Sequence, residues 1–222
     1  MKQNNQTSWA ARLRKLSALC LALVATANVW AADKLTIKPS ISGQTGTIAI
    51  SLDNETPYTA FQMEITLPAG LSIAKEGAMS IDADRANLHQ VSYNQLESGV
   101  IRVAAFSFDG TNGNEAFSGT SGDLLIINVT VADSYKAAEV QVENILFVKK
   151  SDLTAVNNVT AGYQVGDVDY DGSVTVLDGL AIIDYYLKKN PTPFNAAAAD
   201  LDGNGKVEVL DALAAIDIYL KK

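Results

Sequence analysis

Two acidic segments near the C-terminal end carry the chemistry of this sequence. Asp167, Asp169 and Asp171 alternate along the chain, and Asp178 follows in register. Asp200, Asp202 and Asn204 repeat the spacing 33 positions on, with Asp211 in the place of Asp178. Calcium takes six to eight oxygen ligands, and a twelve-residue loop supplies them from positions one, three and five, a backbone carbonyl at seven and a carboxylate at twelve. The candidate ligands are therefore Asp167, Asp169, Asp171, the carbonyl of Ser173 and Asp178 in the first loop. In the second they are Asp200, Asp202, Asn204, the carbonyl of Lys206 and Asp211. Thr175 and Glu208 fall at position nine, where a ligand often acts through water. Gly172 and Gly205 fill position six, where the chain turns sharply and a Cβ is hindered. Val174 and Val207 follow, apolar, where paired loops can touch. Without a cation, the four carboxylates of the first loop repel one another at close range. Two loops in register predict two calcium ions per chain. Position twelve is Asp, one methylene shorter than Glu, so each following helix must start nearer the ion.

The elements that must position these loops differ on their two sides. Each loop runs on into an apolar helical stretch, residues 180–189 and 213–222. Neither has a recognisable helix before it, since residues 191–199 are short and marked by Pro191 and Pro193. These are loop-helix units rather than full helix-loop-helix hands. Upstream, the pattern is β. Runs at 35–37, 47–52, 61–67, 100–108, 124–131, 140–142 and 145–148 are separated by turn residues such as Ser42-Gly43 and Pro68-Ala69-Gly70. Phe61, Met63, Ile65 and Leu67 fall on one face of their run. Many short alternating strands with turn punctuation predict a β-sandwich. The expected fold class is thus an all-β sandwich over residues 33–163, followed by a small all-α module of two calcium loop-helix repeats over 164–222. Only residues 159–165 connect them, so the two parts are expected to be closely joined.

The first 31 residues read as a secretory signal peptide. Lys2, Arg12, Arg14 and Lys15 precede an apolar run from 16 to 29, which ends in small residues at Ala31 and Ala32. The run is shorter than the ~20 residues a spanning helix needs, so no membrane span is expected after cleavage. Cys20 sits inside the run behind a large Leu19, which makes a lipid-anchor motif a poor fit. Cleavage removes both tryptophans, the one cysteine and four positive charges, and the net charge goes from −8 to −12. A mature chain this acidic lacks the basic footprint that nucleic acid requires, and without cysteine it has no thiol or disulfide chemistry.

Residues 166–222, with their duplicated loops and Asp at position twelve, resemble a type I dockerin. The resemblance implies a calcium-dependent helical module that docks onto a cohesin domain, as in secreted bacterial assemblies that degrade polysaccharide, some held at the cell surface. It also implies partner contacts at loop positions ten and eleven, here Val176 and Leu177, and Val209 and Leu210 in the second copy. The matching Val-Leu pairs imply that either helix can dock, and the opposing reading is that they pack inside the module. Lys188, Lys189, Lys221 and Lys222 are candidate rim contacts, or simply offset the negative end of each helix. More weakly, the segments 50–54, 61–65, 68–71, 101–105 and 121–126 resemble a cohesin or its carbohydrate-binding jelly-roll relatives. The sandwich then binds a dockerin or a polysaccharide, and the chain is a structural adaptor or a carbohydrate-binding subunit tethered through its dockerin.

Catalysis finds little support. The mature chain has one histidine, His89, in a strand-like run, where a lone histidine is usually structural. Glu64, Asp82, Asp84 and Glu97 are present, but nothing marks a glycosidase-type pair among them. The expectation is a non-enzymatic protein. Residues 109–114 suit a tight hairpin turn better than a third cation site.

Overall fold

The structure, a computed structural model, describes residues 33–107 and 115–221. The expected signal peptide over 1–31, the hairpin turn expected at 109–114 and Lys222 lie outside the described residues. No helix among the described residues is long and apolar enough to cross a membrane.

Two sheets pack face to face. The first holds β1 (Lys34–Ser42), β2 (Thr45–Asp53), β4 (Leu71–Ile73), β5 (Met79–Ile81), β8 (Asp123–Val131) and β11 (Thr160–Tyr163). Its order is β11-β1-β2-β8-β4, with β5 also on β8. The second holds β3 (Tyr58–Thr66), β6 (His89–Gln95), β7 (Ile101–Ser107), β9 (Gln141–Lys149) and β10 (Ala155–Val156), in the order β10-β9-β3-β7-β6. Period-two alternation sends one face of each strand inward. Leu35, Ile37, Ile48, Ile50 and Leu52 meet Tyr58, Phe61, Met63, Ile65, Ile101, Val103 and Phe147 in a single core. A one-turn helix, α1 (Ala83–Ala86), is capped by Asp82, whose carboxylate accepts from the backbone N–H groups of Asp84 and Arg85. It carries the buried Arg85 guanidinium onto the carbonyls of Leu52 (2.7 Å) and Gly122 (3.2 Å).

The short strands β4, β5 and β10 have no counterpart among the expected runs, and three further assignments depart from the sequence expectation. The runs 140–142 and 145–148 are one strand, β9. Its register with β3 shifts between Gln62 and Glu64, and Asn144 lies at φ 50°. An inserted bulge residue breaks the alternation that a pattern reading follows. Leu67 lies just past the end of β3, half-buried against the core. The connector is itself sandwich: residues 160–163 form β11, parallel to Lys34–Ile37 of β1. Four residues containing Ala161 and Gly162 carry no hydrophobic alternation to announce a strand.

The C-terminal module contains α2 (Val176–Tyr186), α3 (Ala196–Ala199) and α4 (Val209–Leu220). The two long helices start four residues before the expected 180 and 213. At α2, Thr175 caps the helix and Asp178 reaches back to the Thr175 N–H, a capping box that sets the start. Val168, Val174, Ile182, Ala198, Ala199, Ala212 and Ala215 form a second core. The α2–α4 crossing is close: a Cβ added at Gly179 would lie 2.7 Å from Ile216 Cγ1.

Candidate metal centre and docking faces

The two loops are built on one hydrogen-bond scaffold, used twice. At position one, Asp167 accepts from the N–H of Asp171 (3.2 Å) and of Gly172 (3.1 Å). Asp200 accepts from Asn204 (3.0 Å) and Gly205 (2.8 Å). At position three, Asp169 and Asp202 accept from the same N–H groups of Asp171 and Asn204. At position five, Asp171 accepts from the Ser173 N–H (2.8 Å) and Asn204 from that of Lys206 (2.9 Å). At position twelve, Asp178 joins the two ends of its loop by accepting from Val168 and Thr175, both at 2.8 Å. Asp211 does the same with Leu201 (2.9 Å) and Glu208 (2.7 Å). A short carboxylate at position twelve reaches because the helix begins beside the loop, with Val176 and Val209 as its first residues.

These bonds gather the acids. One oxygen each from Asp167, Asp169 and Asp171 lie within 4.8 Å of one another, and so do those of Asp200, Asp202 and Asp211. Asp178 stands outside the first trio, yet its charge acts on both Asp167 and Asp169. Asn204 adds a neutral oxygen beside the second trio, and Ser173 and Lys206 carry position seven at the exposed rim. In the first loop, Asp167 and Asp169 are ill at ease as anions. Burial, with the charges of Asp171, Asp178 and Asp169, pushes Asp167 up to about 7. Burial and the charges of Asp178 and Asp171 push Asp169 to about 6. A hard, all-oxygen donor set of crowded carboxylates fits a doubly charged calcium ion in each loop. Bound there, the ion would neutralise the crowded carboxylates and tie position one to position twelve.

The candidate partner contacts lie in two matched patches. Val176, Leu177 and Leu180 are 39%, 66% and 51% exposed, and Val209, Leu210 and Leu213 are 42%, 67% and 56% exposed. None of these is consumed by packing inside the module, whose core uses Ile182, Ala212 and Ala215 instead. Lys189 pairs with Asp184 (2.9 Å) and Lys221 with Asp217, which occupies two of the candidate rim contacts locally. Lys188 is exposed, and Lys222 lies outside the described residues.

One loop residue carries a signal the sequence reading passed over. Tyr170 sits at position four with φ 63°, where the second loop has Gly203 at φ 71°. A tyrosine at a left-handed position where the second loop uses glycine marks a side chain with a reason to be there. In the sandwich, His89 Nε2 lies 3.0 Å from the Thr59 carbonyl and its ring 4.4 Å from Phe117, while burial depresses its pKa. Glu64 is held by Arg102 and Asn144.

Residues 165–217 match the family model of the dockerin type I domain. No curated protein matches the chain. Among solved structures, the chain is similar to the cohesin module of a Clostridium perfringens family 33 glycoside hydrolase, with 13% identity, 59% of this chain and 98% of that chain covered, and a TM-score of 0.45. It is similar to a non-cellulosomal cohesin from the archaeon Archaeoglobus fulgidus, at 16% identity, 58% and 86% coverage and a TM-score of 0.43. A type I cohesin–dockerin complex from Clostridium thermocellum gives 15% identity, 64% and 94% coverage and a TM-score of 0.47. By sequence and by its duplicated loop-helix architecture, the C-terminal module is therefore similar to a type I dockerin.

Proposed function

We propose that this chain is a secreted, non-catalytic adaptor whose C-terminal module takes up two calcium ions and then docks onto a cohesin-type domain, within a polysaccharide-degrading assembly. The observation that carries this reading is the identity of the two loops bond for bond, each presenting the same exposed Val-Leu-Leu patch on the helix behind it. Calcium orders the loops, the loops fix the helix starts, and the helix starts aim the apolar patches. A patch of this kind left in water is the mark of a protein-binding face. The sandwich serves as a second interaction site, for a dockerin-type module of another protein.

A sugar-binding role for the sandwich has less behind it. Stacking on sugar rings needs coplanar exposed aromatics. Tyr93 and Phe106 are the exposed aromatic side chains of the described sandwich. Tyr93 pairs with the inward-facing Val103, and Phe106 belongs to the opposite, outward set of β7, so they form no common platform. The non-catalytic reading draws support from His89, which is half-buried, with Nε2 on the Thr59 carbonyl and its ring against Phe117. Calorimetry of the purified chain against type I cohesin domains, in calcium and in chelator, tests the proposal. Binding in calcium alone is expected. Equal binding in chelator, or retention on insoluble polysaccharide with no cohesin binding, would sink it.

A further inference from the structure

We infer that the first calcium loop is also the clasp that fixes the helical module to the sandwich, so that calcium in this loop, and not in the second, sets whether the junction is rigid. The inference rests on the calcium reading above and adds a division of labour between the two loops.

The sheet edge supplies the seat. β11 pairs with Lys34–Ile37 of β1 and ends at Tyr163, which leaves Lys38 to Ser42 without a strand neighbour on that side. Only Gln164, Val165 and Gly166 separate Tyr163 from Asp167, so the loop begins where the strand stops. The loop touches the bare edge at Pro39. Gly172 lies on the carbonyl of the buried Pro39, and a Cβ there would run into that backbone oxygen. Tyr170 turns its ring edge-on to Tyr163, with centroids 4.8 Å apart, and packs against the sandwich core. Tyr163 is itself anchored, its hydroxyl accepting from the Val140 N–H at 2.5 Å.

The second loop is an internal control. Its position six, Gly205, has nothing within 4 Å of an added Cβ, and its position four is Gly203. The backbone at position four is left-handed in both loops, a conformation that L side chains disfavour. Loop two uses glycine there. Loop one holds a tyrosine, and what the tyrosine gains is the sandwich. Both clasp residues flank the ligand Asp171, and the N–H groups of Asp171 and Gly172 bind the ligand Asp167. The loop shape that calcium favours is therefore the shape that presents Tyr170 and Gly172 to β11 and β1. Two events that share one conformation are coupled, and reciprocally so.

Hydrogen exchange of the full chain, with calcium or with chelator, tests this. Amides of β11 and of residues 40–42 in β1 are expected to exchange at least tenfold more slowly in calcium. Tyr170→Gly relieves the backbone at position four and removes the ring. It should still take up two ions by calorimetry while losing the calcium-dependent protection, and Tyr170→Phe, which keeps the ring, should retain it. Calcium uptake with no protection in the unmodified chain, or equal protection in Tyr170→Gly, would overturn the clasp and leave the calcium reading standing. Absence of calcium uptake by the unmodified chain would remove both.

Discussion

Gly172→Ala and Gly205→Ala put the same methyl group at the same loop position in opposite surroundings. Both glycines are left-handed, at φ 86° and 82°. Alanine in that region costs about 1–2 kcal/mol, and this is the whole expected effect at Gly205, where the added Cβ meets nothing within 4 Å. It corresponds to calcium binding in the second loop weaker by about 5- to 30-fold. At Gly172 the methyl meets the backbone of Pro39, whose carbonyl carbon would lie 3.0 Å away and which cannot swing aside as a side chain can. The loop must lift from the sheet. It then loses the Tyr163–Tyr170 pair, a contact of about 0.5–1.5 kcal/mol, besides the apolar surface beneath it. The expected total at the first loop is about 2–4 kcal/mol. Calorimetric titration of calcium into each full-length variant reads both numbers. Equal losses for the two variants, or a larger loss for Gly205→Ala, would refute the argument.

Three further outcomes follow from particular contacts. Asp167 near 7 and Asp169 near 6 lie above the ordinary 3.8 in the calcium-free fold, so their stabilising contribution is complete below about pH 4 and is lost as pH rises through 6–7. The calcium-free helices should melt at a higher temperature at pH 5 than at pH 8 in circular dichroism, and calcium should close the gap; the reverse order without calcium would contradict the burial argument. Arg85→Met strands the carbonyls of Leu52 and Gly122 and the Asn54 side chain, and should cost the sandwich about 2–4 kcal/mol in urea unfolding with calcium uptake unchanged. Gly179→Ala places a methyl 2.7 Å from Ile216 Cγ1 and 3.2 Å from the Ala212 carbonyl oxygen. It should destabilise the calcium-loaded module by about 1–3 kcal/mol, and an unchanged melting curve would show that the helices part freely.

The loops were legible because their constraint is local. Ligand types at fixed offsets, and a glycine at position six, state the whole geometry within twelve residues, twice. The long sandwich strands were legible through alternation, as in Phe61, Met63 and Ile65. What escaped was set by distant partners. β11 exists because β1 lies beside it, not because residues 160–163 favour a strand. The unity of β9 is hidden by the bulge at Asn144. The helices start earlier than their apolar runs suggest because Thr175 and Asp178 serve both as loop residues and as a cap. The role of Tyr170 lies in a comparison with Gly203 and in a contact with Tyr163, which spacing alone does not give.

The proposed function requires that two carboxylate loops close around two calcium ions and that this closure orders the helices behind them. The most direct measurement is calorimetric calcium titration of the full chain beside its Asp167→Ala/Asp200→Ala double variant. Two ions are expected for the first protein and none held tightly by the second. An unchanged ion count in the double variant would contradict it.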